Sequence, residues 1–377
     1  SLNCDLLINN SINVSLTGVS SGANSSTIVN LSRGFDYTWG VNCTDGSLTN
    51  QTIFRIFNVT DGCGTLNIST TLTKNVNSAG TCFIMNADNT TLDCNGYTIE
   101  YDSSGIGGVT GVDARNRNNV TVKNCIIRDI NETGANGYGI NFTRTNNSFV
   151  INNTVITNGT SNNYGIYLLT SSNNTLTNNT INTQGTTNNN YGMVVSTSST
   201  FNTLTQNIVN TSGTINNYGI FFLTSANNNT FTNNTINARG TTNGNYGMYI
   251  QTSSFNTFTG NTITTNGTIN NYGILLQTSA SNNTFTSNNI TTLGTTSYGI
   301  RILNSNHSFF NNTILNNPAQ WITTNINSTN NFSNTSFVSF NGTITLTNFT
   351  LTGAQDITQQ KLNVTFNKAF LNSTNLS

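Results

Sequence analysis

Between residues 88 and 132 the chain carries Asp88, Asp93, Glu100, Asp102, Asp113, Asp129 and Glu132, with Arg115, Arg117 and Arg128 among them. Two carboxylates flanking a glycosidic bond can serve as general acid and as base or nucleophile in hydrolysis. A base beside a carboxylate-bound Ca2+ could instead drive an elimination. Asp113 is the best placed of the set, since it alternates against Val112 and Ala114 and so points away from them. The plainer reading of Asp93 and Asp113 is a turn residue and a solvated face. From residue 133 to 355 there is no Asp or Glu, so most of the chain offers neither catalytic acids nor ligands for a hard cation. The sole histidine is His307 and no CxxC occurs, which argues against a Ser-His-Asp set and against zinc. No glycine loop has phosphate-cradling spacing. The expectation is no enzyme, no metal and no cofactor, with a polysaccharide lyase or glycoside hydrolase as the less favoured reading.

A different chemistry is abundant. Asn-x-Ser/Thr, the acceptor triplet for N-linked glycans, occurs 33 times where composition alone gives roughly 23. Candidates are Asn58, Asn119, Asn141, Asn158, Asn173, Asn178, Asn228, Asn233, Asn266, Asn282, Asn311, Asn341 and Asn363. The excess is modest, but Asn173, Asn178, Asn228, Asn233, Asn282 and Asn311 recur at one phase of a repeat. Covalent N-glycans are therefore expected. Cys4, Cys43, Cys63, Cys82, Cys94 and Cys125 all fall in the first third. An even count without metal spacing favours disulfides and an oxidising, extracellular setting.

Charge removes other classes. Twelve basic side chains balance twelve acidic ones, and charged residues make up 6% of the chain, so there is no basic patch for nucleic acid. No apolar run reaches the ~18 residues of a membrane span. No export signal precedes Ser1 in this sequence, so any such signal has either been removed or lies outside it.

The elements that must position these residues are repeated. Tyr-Gly recurs at Tyr138, Tyr164, Tyr191, Tyr218, Tyr246, Tyr272 and Tyr298. The first and third residues after each Gly are apolar, as in Ile166/Leu168 and Ile220/Phe222, which is the period of a strand. Asn-Thr-Leu/Phe follows (Asn174 to Leu176, Asn256 to Phe258), then Asn-Thr-Ile (Asn179 to Ile181, Asn312 to Ile314). Each unit of 26 to 28 residues thus holds three short strands joined at Asn-rich corners. Such units bury an apolar face only by stacking, which predicts a parallel β-solenoid of about nine rungs and roughly 40 Å. Helix is excluded by the absence of a 3.6-residue period, and a disordered tract would have the composition but not the phase. The residue between each apolar pair (Tyr167, Val194, Phe221, Tyr249, Leu275) should face outward as a partner or sugar stripe. The alternative is that it lies beneath a loop or the C-terminal segment. The Tyr-Gly tyrosines share parity with the core and read as a corner stack.

"AGTCFIMNADNTTLDCNGYTIEYDSSGIGGVTGVDARNRNNVTVKNCIIRD" and "YGINFTRTNNSFVINNTVI" resemble the right-handed parallel β-helix repeat proteins, the NosD-like group common in archaeal surface proteins. "LDCNGYTI" and "NVTVKNC" carry most of the resemblance, which covers about residues 62 to 320. It implies the fold strongly and an activity weakly, because the same repeat hosts lyases, hydrolases, adhesins and inert scaffolds.

The expected architecture is all-β, with a parallel β-helix over 61–320. Residues 1–60, with "GFDYTWGVNCTD" and "TIFRIFNV", resemble the later strands of an immunoglobulin-like or fibronectin-like module, which implies a Cys4–Cys43 bridge. Too little chain precedes Cys4 for the opening strands, so a longer chain or a strand donated by a neighbour would complete the sheet. Residues 321–377 ("TITLTNFTLT", "KLNVTFNKAF") read as a strand cap, and the ending "LNSTNLS" as a point of continuation or processing. Cys63 and Cys82 bracket the start of the solenoid and are paired here. Cys94 and Cys125 sit at matching points of neighbouring rungs, where either a disulfide or two buried thiols would fit. The functional expectation is a secreted glycoprotein of a surface layer, sheath or filament that assembles with itself, or alternatively a carbohydrate-binding adhesin.

Overall fold

The computed structural model describes residues 1–338 apart from 21, 23, 30, 32–34, 60, 61, 317–319, 325–329 and 334. Asn341, Asn363 and the expected strands at "TITLTNFTLT" and "KLNVTFNKAF" lie outside the described residues. Every regular element among those described is a β-strand.

Five strands open the chain: β1 (Leu2–Ile8), β2 (Ser11–Val19), β3 (Phe35–Thr44), β4 (Thr49–Gln51) and β5 (Arg55–Val59). They pair antiparallel in the order β2-β1-β3-β4, with β5 also on β3. Cys4 lies opposite Cys43 and is bonded to it, at a Cα separation of 4.0 Å. Where later strands of an immunoglobulin-like or fibronectin-like module are expected there is one antiparallel sheet, with no second sheet facing it among the described residues.

From Gly64 onward the chain winds as a parallel β-helix with three sheets. One turn shows the plan. Tyr164–Leu169 belongs to the first sheet, Thr175–Thr177 to the second and Thr180–Gln184 to the third. About nine turns follow this pattern, and a further strand triplet at each end brings every sheet to eleven strands. The last triplet is Gln320–Thr324, Asn331–Ser333 and Ser336–Val338. The solenoid therefore extends past residue 320, because these strands continue the three parallel ladders. Ten strand spacings make a rod of about 48 Å.

Each turn sends one apolar set inward: Ile166 and Leu168 from the first sheet, Leu176 from the second and Ile181 from the third, all at most 1% exposed. Like stacks on like. In the second sheet Phe258, Phe285, Phe310 and Phe332 stack with ring centroids 4.5–4.7 Å apart.

The corners hold the polar residues that give the chain its composition. Asn174, Asn202, Asn229, Asn256 and Asn283 form one buried column, and Asn153, Asn179, Asn207, Asn234, Asn261 and Asn288 another. Asn202 uses its whole amide. Its Oδ1 accepts from the backbone N–H and Nδ2 of Asn174 (2.9 and 3.0 Å), and its Nδ2 donates to Ser171 O (2.9 Å) and Asn229 Oδ1 (3.0 Å). The residue before each ladder asparagine turns the corner in the left-handed region, as at Asn173 (φ 57°) and Asn178 (φ 56°), where asparagine is tolerated.

A third ladder was not legible as such. Asn163, Asn190, Asn217, Asn245 and Asn271, each just before a Tyr-Gly tyrosine, run Nδ2 to Oδ1 at 2.9–3.3 Å. The signal was the Asn in "NYG". One register needs correction. Thr313, not Asn312, occupies the ladder site above Asn288, being fully buried, while Asn312 is the exposed corner (φ 50°). Asn311 accordingly lies in the strand Phe309–Asn311 instead of at a corner.

The other two cysteine pairs close the base of the rod. Cys63–Cys82 and Cys94–Cys125 are bonded, with Cα separations of 4.5 and 4.7 Å. Cys125 stands in the second asparagine column, its backbone N–H donating to Asn153 Oδ1 at 3.0 Å. A covalent rung thus continues the amide ladder downward.

Removing one ladder amide should orphan its partners. Asn234→Ala strips an acceptor from the backbone N–H and Nδ2 of Asn207 and a donor from Leu204 O. The expected loss is about 3 kcal/mol. Asn233→Gly, at an exposed left-handed corner (φ 54°), should change stability by less than about 1 kcal/mol. Urea midpoints of the two variants at unchanged slope measure this contrast.

Candidate functional site

The outer face of the first sheet carries the groups singled out as an outward stripe. Its register column runs Asp113, Asn141, Tyr167, Val194, Phe221, Tyr249, Leu275, Arg301. The outward parity holds, but the stripe is not a solvent face. Val194 (3% exposed), Phe221 (9%) and Leu275 (3%) are buried, and Tyr167 and Tyr249 are half-buried.

The Tyr-Gly tyrosines cover it. Their rings stack along the rod: Tyr164 on Tyr191 at 5.1 Å, Tyr191 on Tyr218 at 4.7 Å, Tyr218 on Tyr246 at 4.9 Å and Tyr246 on Tyr272 at 4.8 Å. Phe221 meets Tyr191 and Tyr218 edge-on at 5.4 and 5.5 Å, the favoured T-shaped geometry. Together they form an apolar cluster separate from the core.

The glycine explains why parity with the core failed for the tyrosines. A Cβ on Gly165 would stand 2.2 Å from Ile181 Cγ2, so that position already faces inward. Ile166 beside it is also fully buried. Two successive inward positions slip the alternation by one, and Tyr164 falls on the outer side. Burial raises the phenols, Tyr164 and Tyr246 to about 12, and Tyr218 further still.

Both ends of this wall are polar. Arg301 lies over the Tyr272 ring, 4.9 Å from its centroid, and its Nη1 donates to the Tyr272 hydroxyl. At the other end Asp113 pairs with Arg115 (2.8 Å) and accepts from Asn141 Nδ2 (2.9 Å). Asn141 is 2% exposed and its Nδ2 is committed to Asp113, which removes it as an accessible glycan acceptor. Asn158 is half-buried and commits its Nδ2 to Asp129 O (2.9 Å).

The remaining acids separate by environment. Asp93 is opposed by burial, but Asn124, the backbone of Asn95 and Lys123 (3.1 Å) hold its carboxyl below the usual range. Asp102 and Asp129 are 1% and 2% exposed. Burial is the main cause that raises Asp129 to about 7, against a backbone hydrogen bond from Asn131 and with the Asp102 charge adding to the rise. Burial likewise raises Asp102. The fully buried Tyr101 hydroxyl, beside both, has no hydrogen-bond partner.

Residues 55–236 and 215–352 match the family described as "right handed beta helix region". The chain belongs to that family. No curated protein matches this β-helix in sequence. Among solved structures it is similar to the Azotobacter vinelandii mannuronan C-5 epimerase AlgE6 A-module, at 16% identity and a TM-score of 0.42 over 74% of this chain and 81% of that one. It is also similar to the periplasmic alginate epimerase AlgG (13%, TM-score 0.40, 73% and 78%). A third is the E. coli bacteriophage HK620 tailspike in complex with a hexasaccharide (12%, TM-score 0.42, 73% and 69%). At these identities the likeness concerns the fold alone.

On the β-helix the corner acceptors Asn119, Asn173, Asn178, Asn228, Asn233 and Asn282 are exposed. Asn266, within the strand Thr262–Ile269, is also exposed, and Asn311 is half-buried. Asn58 lies in β5, and its side chain is outside the described residues. What sequence reasoning missed was the covering tyrosine wall, its Arg301 cap, and the Asp102–Asp129 proximity. The cap was readable only as a basic residue breaking the apolar series.

The raised Asp129 makes stability depend on pH. Its folded pKa of about 7 lies above the unfolded value near 4, so the native state holds the extra proton between them. Stability should therefore fall as pH rises from about 4 to about 7. Asp129→Asn should flatten that slope, as read from urea midpoints at pH 4.5 and pH 8.

Proposed function

We propose that the protein is a secreted, N-glycosylated structural component of a cell-surface layer, sheath or extracellular filament, and not an enzyme. The observation that carries this reading is the division of labour among its asparagines. At several corners one asparagine is locked in a buried amide ladder, and its neighbour stands exposed within an acceptor triplet, as at Asn173/Asn174 and Asn233/Asn234. Three disulfides support an oxidising, extracellular setting. Four of the seven candidate acids are engaged otherwise: Asp113 with Arg115, Asp93 with Lys123, and Asp102 and Asp129 buried.

Self-assembly by strand complementation has an edge to use. Among the described strands β2 pairs on one side only, with β1, and an unpaired edge is a template for a further strand. No nucleic acid, metal or cofactor enters this reading. A second reading, a carbohydrate-binding adhesin, rests on the half-exposed rings of Tyr167 and Tyr249. The NosD-like, archaeal attribution and the immunoglobulin-like origin of the first sheet belong to the proposal as well.

Two measurements test it. Electron microscopy of native material should show a periodic filament or lattice, and discrete monomers would contradict assembly. Intact mass should exceed that of the bare chain by many glycan units, and equality would remove the glycoprotein. Tyr249→Ser should leave assembly intact, and loss of sugar binding in that variant would favour the adhesin.

A further inference from the structure

The corner between the first and second sheets holds a column with a regular defect. Parallel pairing aligns Thr175, Thr203, Thr230, Thr257 and Thr284. The residues two positions earlier are Asn173, Phe201, Asn228, Phe255 and Asn282, one per turn. All five are exposed and all adopt the left-handed backbone, with φ of 57°, 57°, 57°, 59° and 56°. Asparagine suits this conformation, whereas a bulky aromatic does not. Phe201 and Phe255 are also 59% and 58% exposed, so burial within the chain does not offset the strain. Nothing in the fold asks for phenylalanine there, and it recurs two turns apart.

The three asparagines each begin an Asn-Asn-Thr acceptor triplet, and the phenylalanines interrupt the series. Asparagine at 201 or 255 would complete a triplet on every turn. Acceptors thus stand about 9.6 Å apart, with an aromatic ring one strand spacing from each. The C–H faces of a sugar ring are apolar, and a phenyl face is the surface on which they can lose water contact.

We propose that Phe201 and Phe255 are stacking platforms for glycans carried on Asn173, Asn228 and Asn282, so that sugar and aromatic alternate along this edge of the rod. This inference rests on the glycoprotein reading. The strain at each phenylalanine is offset by contact with the flanking glycans, which cover the ring and are themselves held against the rod.

The test compares protein from its native cells with protein from a host that lacks N-glycosylation. Glycopeptide mass spectrometry of the native material should find Asn173, Asn228 and Asn282 occupied. The double variant Phe201→Asp/Phe255→Asp creates no new triplet and suits the left-handed corner. Without glycans it should melt no lower than the parent. With glycans, it should lose most of the Tm increment that glycosylation gives the parent. An undiminished increment in the variant would overturn the platform. Bare acceptors in this column with glycans elsewhere would also overturn it while leaving the glycoprotein reading standing. A wholly bare chain would remove both.

Discussion

The central turns of this protein depend on one arrangement, the side-chain amide of a buried asparagine bonded to the turns above and below. All four hydrogen-bonding positions are filled at residues such as Asn202 and Asn207. At Asn202 two donors from the turn below reach Oδ1, while Nδ2 serves a carbonyl below and the next amide above. An amide taken from water without partners is costly, and one with every partner present is not. The arrangement is available only if the same residue stands at the same place on the next turn. Strict repetition is thus a condition of burying such a polar chain, and the three columns of asparagine record it. The disulfide at Cys94–Cys125 begins where the amide column ends.

A second constraint follows from crowding at the corner between the third and first sheets. Ile or Val from the third sheet approaches the Tyr-Gly glycine so closely that a Cβ would meet it at 2.1–2.2 Å, as at Gly165 and Gly192. Glycine makes the close approach possible, and the resulting slip in alternation puts the tyrosine outside. The same local event therefore builds both a dry core and an outer aromatic wall. That wall ends at Arg301 on one side and at Asp113 and Asn141 on the other.

These two constraints divide what the sequence disclosed from what it did not. Ile166, Leu168, Leu176 and Ile181 were legible as core because strand alternation is local, and Asn174 and Asn179 because they repeat beside apolar residues. The Asn163 ladder was hidden, since Asn163 shares its period with the adjacent Tyr164 and no apolar alternation marks it as buried. Tyr164 itself was assigned by parity, and parity fails where two successive residues face inward. Val194 and Phe221 were rightly outward, yet their burial depends on rings that start three residues earlier and stack across turns. Asn141 carries an acceptor triplet, but only register places it between Asp113 and Tyr167. Triplets state chemistry, and the fold decides access.

The most direct test of the ladder is amide hydrogen exchange at the backbone N–H groups of Asn207 and Asn234, which donate to the side-chain Oδ1 atoms of Asn234 and Asn261. If the amide columns hold the turns together, both should open only with global unfolding and share the protection of the core strands on either side. Exchange at these two positions near the rate of an unstructured chain, while the flanking strands stay protected, would contradict it.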